Sequence, residues 1–187
     1  MQYPATHLVV MGVAGSGKST IAAALSQQLG WACAEADEFH PQSNIDKMTQ
    51  GIPLQDEDRW PWLREIQDWM TAHAAAGKST VLTCSALKQS YRQLLSDAQG
   101  RVLFIHLDGG ADLLGQRMQG REGHFMPSTL LPSQLATLEP LTGSEIAAGS
   151  LRLDISSSPE QIVATVLASL ELPAALAPGV RMEPSAG

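Results

Sequence analysis

Eight residues near the N-terminus, Gly12-Val13-Ala14-Gly15-Ser16-Gly17-Lys18-Ser19, leave this chain few folds to choose from. They fit the pattern G-x-x-x-x-G-K-[ST] at every fixed position. Before them stands the apolar run Leu8-Val9-Val10-Met11, and after them a helical pattern begins at Thr20. The glycines let the backbone take positive φ and turn its N–H groups inward, and the following helix adds its N-terminal partial positive charge. Strand, glycine turn and helix together make a cradle for polyphosphate, with Lys18 reaching the β- and γ-phosphates and the Ser19 hydroxyl offered to Mg2+. A plain Gly/Ser loop with an exposed lysine would need neither the strand nor the helix.

The 187 residues suit one domain with a sizeable core. Net charge is −7 with no block of like charges, which argues against a nucleic-acid groove or an anionic membrane surface as partner. Seven of the twelve Lys and Arg residues (Lys18, Lys47, Arg59, Lys88, Arg92, Arg117, Arg121) nevertheless fall in segments assigned below to the site. An acidic shell around a basic cleft suits a small anion. Cys33 and Cys84 fall in predicted buried strands without C-x-x-C spacing, so they read as core packing, not as a disulfide or a zinc site. No basic region precedes Leu8 and no apolar run reaches membrane-spanning length, so the expected compartment is a reducing cytoplasm.

Strands are expected at residues 7–11, 31–36, 80–84, 102–107 and 151–155. The helix after the glycine turn aligns Ile21, Leu25 and Leu29 and stops at Gly30. A short helix is expected at 44–49, and a long one at 58–76 with Pro61 in its first turn. Another carries Leu87, Tyr91, Leu94 and Leu95 inward, and two more are expected at 111–119 and 133–138. Ser158-Pro159-Glu160-Gln161 is a capping box that starts a last helix burying Ile162, Val163, Val166, Leu167 and Leu170. Alternating strands and helices predict a three-layer α/β/α domain with a five-stranded parallel sheet and right-handed crossovers. That domain spans 1–172, with an acceptor-binding insert at about 37–60 and a lid at about 117–126. Residues 173–187 are Pro/Ala/Gly-rich and predict a weakly ordered tail.

The glycine turn alone is shared by GTPases, mechanical ATPases and small-molecule kinases. A GTPase needs an N-K-x-D base reader, and Asn44-Ile45-Asp46-Lys47 holds those letters in the wrong order. Phe104-Ile105-His106-Leu107-Asp108 imitates the second acidic motif of a mechanical ATPase, but no catalytic glutamate follows, and Asp108 reads as a strand-end residue. A small kinase pairs the turn with an acceptor-binding insert and an arginine lid, because phosphoryl transfer needs an aligned acceptor, neutralised charge and excluded water. The second strand delivers Glu35, Asp37 and His40 to the carboxyl edge of the sheet, where open α/β folds bind ligands. Gly120-Arg121-Glu122-Gly123-His124-Phe125 is charged and glycine-hinged, as a lid should be.

These residues are similar to one family, the gluconate kinases of the small phosphate-loop type. The similarity is carried by residues 12–19, Asp37-Glu38-Phe39-His40-Pro41, Asn44-Ile45-Asp46-Lys47-Met48, Asp56-Glu57-Asp58-Arg59 and Pro61-Trp62-Leu63. It continues through Cys84-Ser85-Ala86-Leu87-Lys88, Tyr91-Arg92, Arg117, Arg121 to Phe125, and Gln134 with Thr137-Leu138-Glu139-Pro140. Ala14 departs from the family's common serine, and Glu35 stands where related kinases often carry aspartate. The resemblance implies ATP- and Mg2+-dependent phosphorylation of D-gluconate at its 6-hydroxyl, in a cytoplasmic and often dimeric enzyme. Residues 12–20 and Arg117 are then the ATP-binding set, namely Gly12, Val13, Ala14, Gly15, Ser16, Gly17, Lys18, Ser19, Thr20 and Arg117.

Each remaining assignment has a competing structural reading. Asp37 would orient and deprotonate the acceptor hydroxyl, or cap a helix. Arg59 would take the gluconate carboxylate as a bidentate pair, or form a surface bridge to Asp56 or Asp58. His40 would bond a sugar hydroxyl or brace its loop. Lys88 and Arg92, four apart on one helical face, would meet an anion, or be a solvated face. Arg121 would close onto the transferring phosphoryl group, making it catalytic alongside Lys18 and Asp37. Arg117 would stack on adenine, or lie on a helix surface. Another small-acceptor kinase, of shikimate type, shares the same core, and an ATP sensor would keep the glycine turn while needing no acceptor residues.

Overall fold

A computed structural model of the chain describes residues 4–119 and 128–170. Five parallel strands, β1 (Thr6–Met11), β2 (Ala32–Glu35), β3 (Thr80–Thr83), β4 (Arg101–Asp108) and β5 (Leu151–Asp154), form one sheet in the order β2-β3-β1-β4-β5. Strand β1 is central, with Val10 in register with Thr83 on one side and Ile105 on the other. Its unbroken apolar run follows from having both faces covered. Leu8 and Val10 pack with α1 (Lys18–Leu29), α5 (Ala111–Gln119) and α8 (Pro159–Ser169), through Ile21, Leu25, Leu114, Val163 and Val166. Val9 and Met11 face the other way, onto α3 (Asp56–Ala75) and α4 (Gln89–Ser96), through Leu63, Ile66, Met70 and Leu95. The expected three layers are thus present.

The remaining elements are α2 (Gln42–Thr49), α6 (Leu131–Thr137) and α7 (Gly143–Ala147), with 3-10 turns at Ala36–Phe39 and Ser128–Leu130. Gly30 closes α1 at φ 68°, donating its N–H to Ser26 O at 2.8 Å. Ser158 starts α8 as expected, its hydroxyl accepting from Gln161 N–H at 3.2 Å. Among the described residues no helix is long and apolar enough to cross a membrane.

Outside the cleft, the structure corrects the sequence reading in four places. Helix α3 begins two residues early, because Gln55 and Asp58 cap each other's N–H groups. Pro61 therefore lies in the second turn, where its missing N–H leaves the Glu57 carbonyl without its usual partner. Cys33 is exposed, because the strand order leaves β2 at the sheet edge. Leu87 is buried but precedes α4, lying in the loop that leaves β3. Helix α7 was not anticipated, although Thr142 and Glu145 form a reciprocal cap of the kind recognised at Ser158. The lid residues Arg121, Glu122, Gly123, His124 and Phe125 and the tail from 173 lie outside the described residues.

Candidate active site

A cleft of about 820 Å3 opens at the carboxyl ends of β1, β2 and β3. Its floor is the glycine turn, contributing Ala14, Gly15, Gly17, Lys18 and Ser19. The close packing of that turn explains Gly12: a Cβ there would stand 2.8 Å from Leu107 O and 2.7 Å from Ser16 Oγ, at φ +148°. Lys18 Nζ donates to Val13 O at 3.1 Å, so its ammonium arches back over the turn. The Ser16 hydroxyl is buried and has no hydrogen-bond partner among the described residues. A phosphate oxygen would satisfy it, as it would the inward backbone N–H groups.

Opposite the turn, the 3-10 segment and α2–α3 supply Asp37, His40, Ile52, Leu54, Arg59 and Trp62. His40 is buried and stacks on Trp62 with ring centroids 4.1 Å apart at 15°. Trp62 is itself fixed by Nε1 donating to Ala36 O at 2.7 Å. Burial, aided by the Arg59 charge, pushes the His40 imidazole down to about 4, so it is neutral at neutral pH. Asp37 is the more exposed partner, its Oδ1 3.8 Å from His40 Nε2. Thr83 at the end of β3 donates its hydroxyl to Glu35, and both line the cleft. Cys84 lies among these groups and feels the charges of Asp37, Lys18 and Arg59; burial pushes its thiol up to about 12, which keeps it protonated at neutral pH.

Arg59 lines the cleft with its Cζ 5.5 Å from the centroid of the Tyr91 ring, and its buried Nε has no hydrogen-bond partner among the described residues. The two carboxylates that compete for it in sequence are taken by lysines. Asp58 pairs with Lys47 at 2.8 Å, and Asp56 with Lys88 at 2.8 Å. Asp56 also accepts from the Tyr91 hydroxyl, which anchors the ring beneath Arg59.

Lys88 and Arg92 require a correction. Lys88 is the N-cap of α4 with extended backbone, so the two side chains do not share a helical face. Lys88 turns out to Asp56 and is absent from the cleft wall. Arg92 turns in and is fully buried. Its guanidinium donates to Glu145 at 2.6 Å and to the carbonyls of Ala86, Leu87, Glu139 and Pro140. An arginine so placed holds loops together and, among the described residues, is not part of the cleft wall. One of those carbonyls belongs to Ala86, at φ 43° in the loop that places Ser85 on the cleft. Burial tends to raise the Glu145 carboxyl, but the Arg92 and Thr142 hydrogen bonds outweigh it and hold the group low.

On the far side of the turn a smaller hollow of about 240 Å3 is walled by Ser16, Gly17, Thr20, Arg117, Ser157 and Pro159. Arg117 Nη2 donates to Ile155 O at 2.8 Å, which fixes its plane beside the turn. Gln134 of α6 is a site residue to which the sequence assigns no role: its Oε1 accepts from Ala14 N–H at 2.7 Å and it lines the main cleft. Asn44, Trp62 and Thr83 were likewise missed, because nothing local in the sequence sets a second-layer brace apart from a core residue.

A parallel sheet with a glycine turn of the phosphate-binding pattern after β1, a helical insert after β2 and a cleft lined by both defines a small phosphate-loop kinase. Comparison with known proteins agrees. A family model described as "AAA domain" matches residues 8–141. The gluconokinase of Gluconobacter oxydans (strain 621H) is 53% identical over 132 residues, covering 71% of this chain and 74% of that protein. An unliganded sugar kinase structure from Janibacter sp. HTCC2649 superposes with a TM-score of 0.87 at 51% identity, covering 94% of this chain and 100% of that one. A gluconokinase structure from Sinorhizobium meliloti 1021 gives 0.77 at 42% identity, covering 90% and 93%. The chain belongs to the gluconokinase family.

Proposed function

We propose that the protein transfers the γ-phosphoryl group of ATP to the 6-hydroxyl of D-gluconate, giving 6-phospho-D-gluconate and ADP. The observation that carries this reading is the placement of Asp37, His40 and Arg59 across one cleft from Lys18. The glycine turn holds the triphosphate through backbone N–H groups, the Ser16 hydroxyl and Lys18. Arg117 and the hollow it walls take the adenine. Arg59 takes the gluconate carboxylate with its guanidinium, whose Nε has no hydrogen-bond partner among the described residues, and Asp37 accepts the hydroxyl proton as the sugar oxygen bonds to phosphorus and the bond to ADP breaks. Arg121, as the lid arginine, neutralises the transferring group.

Mg2+ fits this site as a substrate-borne ion. Among the described residues no cluster of three or more His, Cys, Asp or Glu could cage a metal, whereas Ser19 and Glu35 both line the cleft. Mg2+ is commonly held by phosphates, water and one or two protein oxygens, and when bound it would offset phosphate charge. A homodimer in the cytoplasm completes the proposal, on family resemblance.

A coupled assay of ADP release, with and without gluconate, tests the reading. The expected result is release that depends on gluconate and is not matched by other polyhydroxy acids or shikimate. Gluconate-independent release, or faster turnover of another acceptor, would refute it.

A further inference from the structure

Beside His40 stands Asn44, which does not line the cleft. Asn44 is buried, and its Nδ2 donates to the Asp58 carbonyl at 2.8 Å. A carbonyl only accepts, so the NH2 end of the amide must face it. The same nitrogen stands 3.3 Å from His40 Nδ1 and carries a second hydrogen. A ring nitrogen receives that hydrogen only when it holds none of its own. In the neutral imidazole the proton must then sit on Nε2. Stacking on Trp62 fixes the ring plane, so Nε2 is aimed along a set direction. Asp37 Oδ1 lies 3.8 Å from Nε2, beyond direct hydrogen-bond range.

We propose that Asn44 is a positioning residue: by donating to Nδ1 it holds His40 in the neutral Nε2–H form. His40 and Asp37 then present one donor and one acceptor to a single substrate hydroxyl. The identity of that hydroxyl rests on the gluconate reading. A hydroxyl carries one hydrogen and two lone pairs, so it donates to Asp37, accepts from His40 and keeps a lone pair for phosphorus. An imidazolium at this place would pair with Asp37 and compete for the oxygen that receives the proton. Burial, and after it the Arg59 charge, disfavours that charged form.

Long-range proton–nitrogen spectra of histidine-labelled protein without substrate read the ring directly, with His40→Ala assigning its signal among the five histidines. The expected spectrum at neutral pH shows a bare Nδ1 and a protonated Nε2, and Asn44→Ala turns this into a mixture. A protonated Nδ1 in the wild type overturns the proposal, whatever the substrate, so this arm fails separately from the gluconate reading. In turnover, Asn44→Ala lowers kcat/KM for gluconate about tenfold, the worth of one neutral hydrogen bond, with the ATP KM within about twofold. In a His40→Ala background the same substitution costs less than about twofold more. A loss that is undiminished there, or equal for ATP, makes Asn44 merely structural and overturns the proposal. Should Asn44→Ala not fold, the wild-type spectrum decides alone.

Discussion

The two walls of the cleft are made of different materials. The phosphate wall is backbone: a glycine turn whose shape is set by close contacts such as Gly12 against Leu107 O, with Lys18 and Ser16 the main side chains. The acceptor wall is side chain throughout, and each functional group there depends on others behind it. Arg59 lies over Tyr91, which is tied to Asp56, which is held by Lys88; His40 lies on Trp62 and against Asn44. A backbone wall binds any nucleoside triphosphate and tolerates side-chain change, as Ala14 in place of the family's serine illustrates. A side-chain wall can discriminate, at the cost of many positions that must agree.

The sharpest way to break the comparison is at the charged side chain of the phosphate wall. Lys18→Ala is expected to lower kcat by about a thousandfold or more while gluconate binding by calorimetry stays near wild type. Comparable loss of both would mean that the walls are not separable. Arg92→Ala is next: it strands Glu145 and four carbonyls and is expected to cost about 3–5 kcal/mol in urea unfolding, with KM values little changed in the protein that remains folded. Arg59→Lys keeps the charge but loses the fork. Its gluconate KM is expected to rise about thirtyfold with the ATP KM within about twofold, and an equal rise in both would give Arg59 a structural role.

The smallest effect comes from acid. Burial lowers the His7, His40 and His106 imidazoles from 6.5, His40 to about 4. The unfolded chain therefore binds more protons than the folded one below 6.5, and stability falls as pH drops from about 6.5 to about 4. The His40 share is about 2 kcal/mol after allowance for partial solvent screening, and His40→Gln should flatten the urea-midpoint profile by that amount. An unchanged profile would mean that the ring is already wet in the folded state.

The difference between the walls also decides how much the sequence alone discloses. The glycine turn is contiguous and its fixed positions are set by backbone geometry, so it was legible with its strand and helix. Five parallel strands followed from strands alternating with helices; the second strand pointed to Asp37 and His40 at the sheet's carboxyl edge, and the family resemblance to Arg59, and all three line the cleft. What the sequence hid is pairwise. Lys88 and Arg92 look alike at a spacing of four, and only the extended backbone at Lys88 sends one out to Asp56 and the other into the core. Cys33 looked buried because an edge strand and a central one share the same letters. Asn44 and Gln134 act on groups 4 and 120 residues away, through amides that read as ordinary polar positions.

A crystal structure with gluconate and a non-hydrolysable ATP analogue bound together would test the central claim most directly. The account predicts the gluconate carboxylate on Arg59, and its 6-hydroxyl within hydrogen-bond reach of Asp37 and about 3–3.5 Å from the γ-phosphorus. A sugar acid bound with its carboxylate away from Arg59, or with the 6-hydroxyl turned from the glycine turn, would contradict it.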